Sequence, residues 1–310
     1  MNHIYNPCIF QGQNQMKMNK EYFEGWYFKN TNQKETVSFI PGIAISSNKK
    51  EAFIQVITQD SSWYIPYPIT EFSYSDYPFE IKIGNSYFSN TKVELHVSHS
   101  QVQIDGTLQY QGNIEIKHHL LSPNIMGIFS FVPHMECNHA IVSMKHSICG
   151  NIEINHKILT FENGIGYIEK DWGTSFPSSY IWGQANCFPN QTASLFFAIA
   201  TIPFHHFQFQ GLICNFILNG NEYRFATYNG SKIIINHTDN QGIHIILEKH
   251  HMTLEIIGKS NQTSLLKAPQ NGKMKNHIQE SIQAEIELIL KQDTCIIYQG
   301  KSTCAGLEII

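Results

Sequence analysis

Residues 93–104 read Val-Glu-Leu-His-Val-Ser-His-Ser-Gln-Val-Gln-Ile, and this pattern decides the fold class. Apolar side chains at positions 93, 95 and 97 alternate with polar ones, and the alternation resumes at Val102 and Ile104. Successive side chains of a β-strand point to opposite faces of the sheet. Each run therefore has one apolar and one polar face, which is typical of a half-buried antiparallel strand.

The same period of two recurs along the chain, in residues 114–116, 152–154, 252–256 and 286–290. Residues that tolerate a positive φ punctuate the pattern, as at Asn219-Gly220. Asp105-Gly106 predicts a tight hairpin turn. We expect helix only in residues 276–284, for a turn or two. Short strands at intervals of about 8–12 residues favour an all-β protein built from closed or nearly closed antiparallel barrels.

Two features indicate a duplicated organisation. Residues 120–137 are apolar but aperiodic, with two prolines and one glycine, and we interpret them as a packed crossover between two halves. The sequence YFEGW at residues 22–26 is echoed by YIEKDWG at residues 167–173. We therefore predict two antiparallel β-barrel halves with very little helix, at residues 1–135 and 136–310.

The composition limits the classes of ligand. Of the 310 residues, 42% are hydrophobic and only 15% are charged, so a large core is available and wholesale disorder is excluded. The net charge of −4 and the lack of a basic run argue against nucleic acid as a partner. No stretch approaches the roughly 18 apolar residues of a membrane-spanning helix. We expect a hydrophobic small molecule as the partner; the oligomeric state is left open.

The cysteines and histidines indicate neither disulfides nor a metal. The seven cysteines are odd in number and scattered, without a CxxC pair, which favours reduced thiols in a cytoplasmic protein. No HExxH or Cys/His ligand spacing is present. The doublets His118-His119, His205-His206 and His250-His251 would project to opposite faces if they lie in strands. We therefore predict no metal and no cofactor.

Four sequence blocks, in order along the chain, resemble the tocopherol cyclase family. YFEGWYFK at residues 22–29 and GYIEKDWGTSFP at residues 166–177 resemble its two specific blocks, the second followed by an aromatic-rich strand at residues 180–186. Pro133-His134-Met135-Glu136 with His139, and Leu-Lys-Ala-Pro at residues 266–269, resemble two looser ones. The chain departs from the plant pattern at Asp171, which replaces an asparagine, and at the histidine near Glu136, which is displaced by one residue.

The resemblance implies a lipocalin-like β-barrel fold, shared more distantly with carotenoid hydratases and lipocalin-like Diels–Alderases. In the plant enzyme of this family, protonation of an isoprenoid double bond is followed by closure of a chromanol ring by a phenol oxygen. Such a reaction needs a proton donor in a cavity that excludes water. Burial favours the neutral form of a carboxyl group, and aromatic faces stabilise a developing carbocation.

Both motifs carry carboxyl groups beside aromatic rings. In a strand, Glu24 and Trp26 would share one face, and Glu169 and Asp171 would share one face with Lys170 opposite. Two carboxyl groups on one face can share a proton, which raises one apparent pKa. Alternatively, Glu24 and Glu169 accept hydrogen bonds from indole or backbone groups and lock the barrel ends. Glu136 and His139 could form an acid–base pair or a buried salt bridge.

We therefore expect a cofactor-independent, tocopherol cyclase-like enzyme of the isomerase class, which cyclises, isomerises or hydrates an apolar isoprenoid-like substrate. Its candidate acid–base residues are Glu169, Asp171, Glu24, Glu136 and His139. Its candidate substrate-binding residues are Trp26, Tyr27, Trp172, Trp182 and Phe176, although tryptophan in a β protein is often a core residue. The alternative is a non-catalytic, lipocalin-like carrier of a hydrophobic small molecule. An acid buried against aromatic rings would favour the enzyme, and a cavity of apolar groups and hydroxyls would favour the carrier.

Overall fold

The fold consists of two large antiparallel sheets with very little helix, as the alternation predicts. The computed structural model describes residues 6–32, 34–120, 122–133, 135–189, 192–204 and 207–310. Within these residues the one α-helix is α1 (Gln13–Met18), and single turns of 3-10 helix lie at Ile69–Glu71, Gly127–Phe131 and Thr227–Asn229. No helix in the described part of the chain is long and apolar enough to cross a membrane.

The first sheet is formed by the chain up to Gly173 and has twelve strands among the described residues. They are β1 (Tyr22–Thr31), β2 (Thr36–Ile45), β3 (Lys50–Thr58), β4 (Ser62–Pro68), β5 (Phe72–Asp76), β6 (Phe79–Ile83), β7 (Ser86–Phe88), β8 (Lys92–His99), β9 (Val102–Ile114), β10 (Cys137–Ile154), β11 (Lys157–Thr160) and β12 (Gly164–Gly173). Their order is β4-β3-β2-β1-β12-β10-β9-β8-β7-β6-β5, and β11 pairs with β10.

The second sheet begins at Tyr180 and has ten strands among the described residues. They are β13 (Tyr180–Ala185), β14 (Ala193–Phe204), β15 (Phe207–Leu218), β16 (Asn221–Ala226), β17 (Lys232–Asp239), β18 (Gly242–Lys249), β19 (Met252–Lys259), β20 (Ser264–Gln270), β21 (Lys273–Gln292) and β22 (Cys295–Ile309). Their order is β16-β15-β14-β13-β22-β21-β19-β18-β17, and β20 pairs with β21.

Three apolar clusters follow from this arrangement. Each sheet curls around a core of its own, because every second side chain along its strands points inward. The outer faces of the central strands, β1, β12 and β10 in one sheet and β13, β14 and β15 in the other, face each other and share a third cluster. The two lipocalin-like halves therefore meet along an apolar seam. We call this space between the sheets the seam.

Two local sequence predictions are wrong. Asp105-Gly106 is no turn but lies inside β9, where Gly106 pairs with Leu95 on one side and Ile152 on the other. A Cβ there would stand 2.3 Å from the Asn151 carbonyl oxygen, so the close approach of strands explains the glycine. Residues 276–284 are no helix but part of β21, which pairs with β20 and β22 across this stretch.

The 120–137 segment is not the connection between the halves. It joins β9 to β10, which are neighbours within the first sheet, and it reaches across the seam on the way. There the Tyr228 hydroxyl donates to the Ile125 carbonyl oxygen over 3.0 Å, and Arg224 donates to the Ser122 hydroxyl over 2.6 Å. The segment is therefore a strap of the first sheet that packs on the second, and we call it the strap.

The first sheet ends about 40 residues later in the chain than the domain boundary predicted at residue 135. β10 and β12 follow residue 135 in the chain and still belong to the first sheet, which gives way to the second between Gly173 and Tyr180. The two similar motifs do not each begin a half of their own. They form β1 and β12, which pair with each other inside the first sheet, where Gly25 stands opposite Asp171. The first sheet therefore extends to the end of the second motif. The division into domains 1–135 and 136–310 stays a prediction.

Candidate functional site

A cavity of about 180 Å³ lies in the seam. For comparison, an apolar cavity of about 150 Å³ holds a benzene molecule. The walls of the cavity in the seam come from both sheets and from the strap, and most of the lining residues are apolar. They include Phe23, Phe53, Met126, Phe129, Phe176 and Trp182.

The two faces of β12 meet different surroundings. Glu169 and Asp171 face the seam and line the cavity, whereas the Lys170 side chain between them points into the first half. Alternation along one strand thus produces the arrangement expected from the sequence, with two carboxyl groups on one face and the amine on the other. Glu169 is 4% exposed, and Asp171 is partly buried.

Glu169 is held by two hydrogen bonds to the same oxygen. The Tyr167 hydroxyl donates to Glu169 Oε2 over 2.5 Å, and the Trp182 indole N–H donates to it over 3.2 Å. Burial raises the pKa of Glu169 from its ordinary 4.5 to about 8, although His139 and these donors oppose the shift. Glu169 is therefore neutral at pH 7, and its Oε1 is free to carry the proton.

His139 on β10 connects the two carboxyl groups of β12. Its Nδ1 lies 2.7 Å from Asp171 Oδ1, and its Nε2 lies 3.5 Å from Glu169 Oε2. The ring stacks on Phe196 at a centroid distance of 4.5 Å. Burial lowers the pKa of His139, but the charge of Asp171, with a smaller contribution from Glu169 where it is ionised, outweighs burial and raises this pKa above its ordinary value. His139 lies closer to Asp171 than to Glu169, which is the more deeply buried of the two carboxyl groups.

A second carboxyl group lies on the opposite wall, on β21 of the second half. Glu280 is 1% exposed and lines the same cavity. The Tyr27 hydroxyl donates to Glu280 Oε1, and the Ser38 hydroxyl donates to Tyr27 over 2.9 Å. Burial raises the pKa of Glu280 from 4.5 to about 7, opposed by Tyr27 and by the charge of Lys29.

Glu308 on β22 is the register partner of Glu280 and also lines the cavity. The Tyr180 hydroxyl donates to Glu308 Oε2 over 2.6 Å. Burial, followed by the nearby charge of Glu280, raises the pKa of Glu308 well above its ordinary value. Burial therefore disfavours the charged form of both acids, and the charge of Glu280 adds to this effect at Glu308.

The structure brings together six of the ten sequence-predicted residues. Glu169, Asp171 and His139 form one cluster, and the aromatic residues Tyr27, Trp182 and Phe176 line the same cavity. The ring of Tyr27 meets the Trp182 ring edge to face at 5.5 Å. Their roles as catalytic and substrate-binding residues stay predictions.

The other four predicted residues lie elsewhere. Glu24 faces the first half, where its Oε1 is 2.6 Å from the Lys170 amine. Trp26 and Trp172 flank that amine, with ring centroids 5.2 and 4.6 Å from it. Glu136 has an exposed side chain, and its carbonyl oxygen accepts from the backbone N–H groups of residues 174 and 175. Its neighbour in the motif, His134, lies outside the described residues, as do His205 and His206.

The cluster on β10 and β12 also has the donor set of a cation site. His139, Glu169 and Asp171 each offer one ligand atom, and these atoms lie within 4.8 Å of one another. One imidazole and two carboxylates suit a divalent ion. The hydrogen bond from His139 to Asp171 already satisfies part of this set without an ion, and the absence of a metal stays a prediction.

Sequence reasoning missed the acids of the second half. A β-bulge in β21 makes the orientation of Glu280 hard to predict. Between Ser281 and Ala284 the strand advances by three residues, whereas its partner β22 advances by two between Leu307 and Ala305. The extra residue reverses the alternation, so that residues before the bulge and residues after it with the same spacing face opposite sides of the sheet. One signal for Glu280 was present in the sequence. Glu280 lies two residues after Ile278 and two before Ile282, so it occupies a position where the alternation predicts an apolar, inward-facing side chain.

Comparisons with known proteins agree with the fold. The structure of CghA is 9% identical, with 93% of this chain and 88% of that chain aligned and a TM-score of 0.63. CghA with Sch210972 gives 8% identity, the same coverage and a TM-score of 0.60. Kievitone hydratase from Nectria haematococca gives 9% identity, 94% and 89% coverage and a TM-score of 0.52. No curated protein sequence matches significantly.

A family model gives the more specific result. The model described as tocopherol cyclase-like matches residues 117–310, which is more than half of the chain. The matched part contains the block around Glu169 and Asp171, the strap and the whole second sheet. It therefore includes the four carboxyl groups that line the cavity, whereas the lining residues of β1 to β3 precede it. The chain belongs to the tocopherol cyclase-like family.

Proposed function

We propose that the protein is a cofactor-independent enzyme that protonates a carbon–carbon double bond of an apolar, isoprenoid-like substrate in the seam. The resulting cation is then captured by cyclisation, or lost by isomerisation or hydration. Glu169 is the proton donor. Asp171 and His139 position and polarise this acid, and Tyr27, Trp182 and Phe176 surround the cation.

The observation that supports this proposal is a neutral carboxyl group in an apolar cavity. Burial keeps Glu169 protonated at pH 7, and the tyrosine and indole donors to Oε2 stabilise the carboxylate that forms when the proton leaves. A well-placed aromatic ring stabilises a desolvated cation by about 2 kcal/mol. Proton donor and cation-stabilising rings thus line one space, as alkene protonation requires.

The same observation favours the enzyme over the carrier. A carrier needs an apolar cavity with a few hydroxyl groups, and three buried carboxyl groups would only weaken its affinity for a hydrocarbon. Here Glu169, Glu280 and Glu308 all line the cavity. Membership of the tocopherol cyclase-like family agrees with a catalytic role.

The experiment is proton transfer to carbon in heavy water. The protein is incubated in D₂O with a geranylated hydroquinone, and mass spectrometry counts deuterium bound to carbon in the recovered compound. We expect one deuterium per molecule converted, delivered from Glu169. Glu169→Gln keeps the shape of the side chain but has no acidic proton, so deuterium incorporation should fall about 100- to 10,000-fold.

Trp172→Phe is the matched control, because this ring lies outside the cavity although the sequence motif contains it. It should leave the rate of deuterium incorporation unchanged. Ligands extracted from the purified protein extend the test to other alkenes. A Glu169→Gln variant that folds normally and still incorporates deuterium at the wild-type rate would remove Glu169 as the donor.

A further inference from the structure

One oxygen in the cavity wall lacks a hydrogen-bond donor. Glu280 Oε1 accepts from Tyr27, but Oε2 is buried and has no partner among the described residues. A buried carboxylate oxygen without a donor costs about 1–3 kcal/mol or more. Buried polar groups in proteins are nearly always satisfied, so such an oxygen in a cavity wall points to a donor supplied by the ligand.

The surroundings of Glu280 favour the charged form more than those of Glu169 do. The buried Lys29 amine on β1, which donates to Gln184 over 3.0 Å, opposes the rise in the pKa of Glu280, although burial lowers the pKa of Lys29 itself. The hydroxyl of Tyr27 stabilises the carboxylate form of Glu280. Burial raises the pKa of Glu280 to about 7 and that of Glu169 to about 8, so Glu280 releases its proton at the lower pH of the two.

We propose that Glu280 is a second functional carboxyl group, which receives a hydroxyl group of the ligand at Oε2 and accepts its proton. The inference rests on the proposed function and adds a residue to it: the family resemblance implies a ligand with a hydroxyl group as well as a double bond, and Glu280 is the group that we assign to that hydroxyl. Tyr27 and Ser38 act behind Glu280 as positioning residues. A hydrocarbon without a hydroxyl group leaves Oε2 unpaired and binds less well.

The proton balance of the reaction follows from the two acids. Glu169 gives its proton to the double bond, which leaves a carbocation and the Glu169 carboxylate. The hydroxyl oxygen of the ligand forms a bond to the cationic carbon, and its O–H bond breaks with the proton passing to Glu280. After release of the product, solvent returns one proton to Glu169 and takes one from Glu280, so that no oxidant or reductant is consumed.

A matched pair of probes tests the subsite without turnover. Titration calorimetry measures the affinity of 4-hexylphenol and of hexylbenzene, which differ by one hydroxyl group. We expect the wild-type protein to prefer the phenol by about 10-fold, since a hydrogen bond to a charged group is worth at least that much. In Glu280→Gln the acceptor is neutral, and the preference should fall about 10-fold.

Two control variants accompany the measurement. Glu285→Gln changes a carboxyl group on the same strand that faces Lys301 at the surface, and it should leave the preference unchanged. Glu169→Gln should lose deuterium incorporation but keep the preference, because it changes the opposite wall. Melting temperatures of all variants confirm that each binds as a folded protein.

Each outcome decides the inference. Equal affinities for the two probes in the wild type, or a preference that survives Glu280→Gln, would overturn the hydroxyl subsite and leave the alkene protonation by Glu169 standing. If neither probe binds, the seam is no ligand site, and both proposals fail. A preference lost in Glu280→Gln but kept in the two controls supports the subsite.

Discussion

Glu169 and Lys170 are neighbours in the chain, yet their side chains enter opposite environments. Glu169 reaches the cavity and is kept neutral by burial. Lys170 points into the first half, where it is 1% exposed and meets the Glu24 carboxylate at 2.6 Å. One strand therefore carries the proposed proton donor on one face and a buried ion pair on the other, and substitutions should separate the two roles.

Glu24→Gln should lower stability without changing chemistry. Removing one partner of a buried ion pair leaves the other charge unpaired, which costs about 3–5 kcal/mol. Urea unfolding measures this loss of unfolding free energy, and turnover is measured on the fraction that remains folded. We expect turnover per folded molecule to stay at the wild-type value.

A double substitution provides the control for the ion pair. In Glu24→Gln with Lys170→Met the unpaired amine is gone, so part of the lost stability should return as a coupling energy. Normal stability together with strongly reduced turnover in Glu24→Gln would contradict the prediction and would show that Glu24 takes part in the acid–base chemistry. The Lys170 amine also donates to the Ile9 carbonyl oxygen over 2.5 Å, so the recovery is expected to be partial.

At the scale of elements, the strap connects the two sheets through a close contact at Gly127. This glycine has a φ of +57°, and an added Cβ would stand 2.4 Å from the ring of Tyr228. Gly127→Ala should therefore displace the strap from the second sheet. Because Met126 and Phe129 line the cavity, calorimetry should show weaker binding of 4-hexylphenol together with a lower melting temperature.

Gly112→Ala is the matched control for this prediction. Gly112 also has a positive φ, at +71°, but no atom lies within 4 Å of its added Cβ. It should cost only the strain of the left-handed conformation, about 1–2 kcal/mol, and leave the ligand affinity unchanged. Equal losses of affinity in the two variants would show that strap packing has no part in binding.

The elements also show how far sequence reasoning reaches. Period-two alternation predicted the all-β class, and it correctly placed Glu169 and Asp171 together. It failed where strands are irregular: a bulge within β21 reverses the faces near Glu280, and two irregularities interrupt the pairing of β10 with β12 after Ile141. The partner of each strand depends on long-range packing, so the pairing of β1 with β12 could not be inferred from their similar motifs.

For the whole molecule, the buried acids predict that stability falls as the pH rises. The pKa of Glu169 is raised from 4.5 to about 8 on folding, and that of Glu280 to about 7. Between pH 4.5 and these raised values, the two carboxyl groups stay protonated in the folded protein but are ionised in the unfolded chain. The stability that these groups contribute is therefore complete below pH 4.5 and is lost as the pH rises through 7 and 8.

Urea unfolding at pH 5 and pH 8.5 measures this effect. The free energy of unfolding of the wild type should fall more between the two values than that of Glu169→Gln with Glu280→Gln, whose amides do not titrate. Surface carboxylates contribute equally to the pH dependence of both proteins, so their contribution cancels when the two changes in unfolding free energy are subtracted. An identical pH dependence in both proteins would mean that neither acid is held neutral by burial.

The seam has a consequence for how such a protein can diversify. The proposed proton donor on β12 and Glu280 on β21 belong to different sheets, yet each accepts a hydrogen bond from the other sheet: Glu169 from Trp182 on β13, and Glu280 from Tyr27 on β1. A chimaera that keeps residues up to Gly173 and takes the remainder from a relative would therefore preserve the surroundings of Glu169 only if the relative also supplies an indole at position 182. The two halves of such a protein have to vary together wherever they meet at the seam.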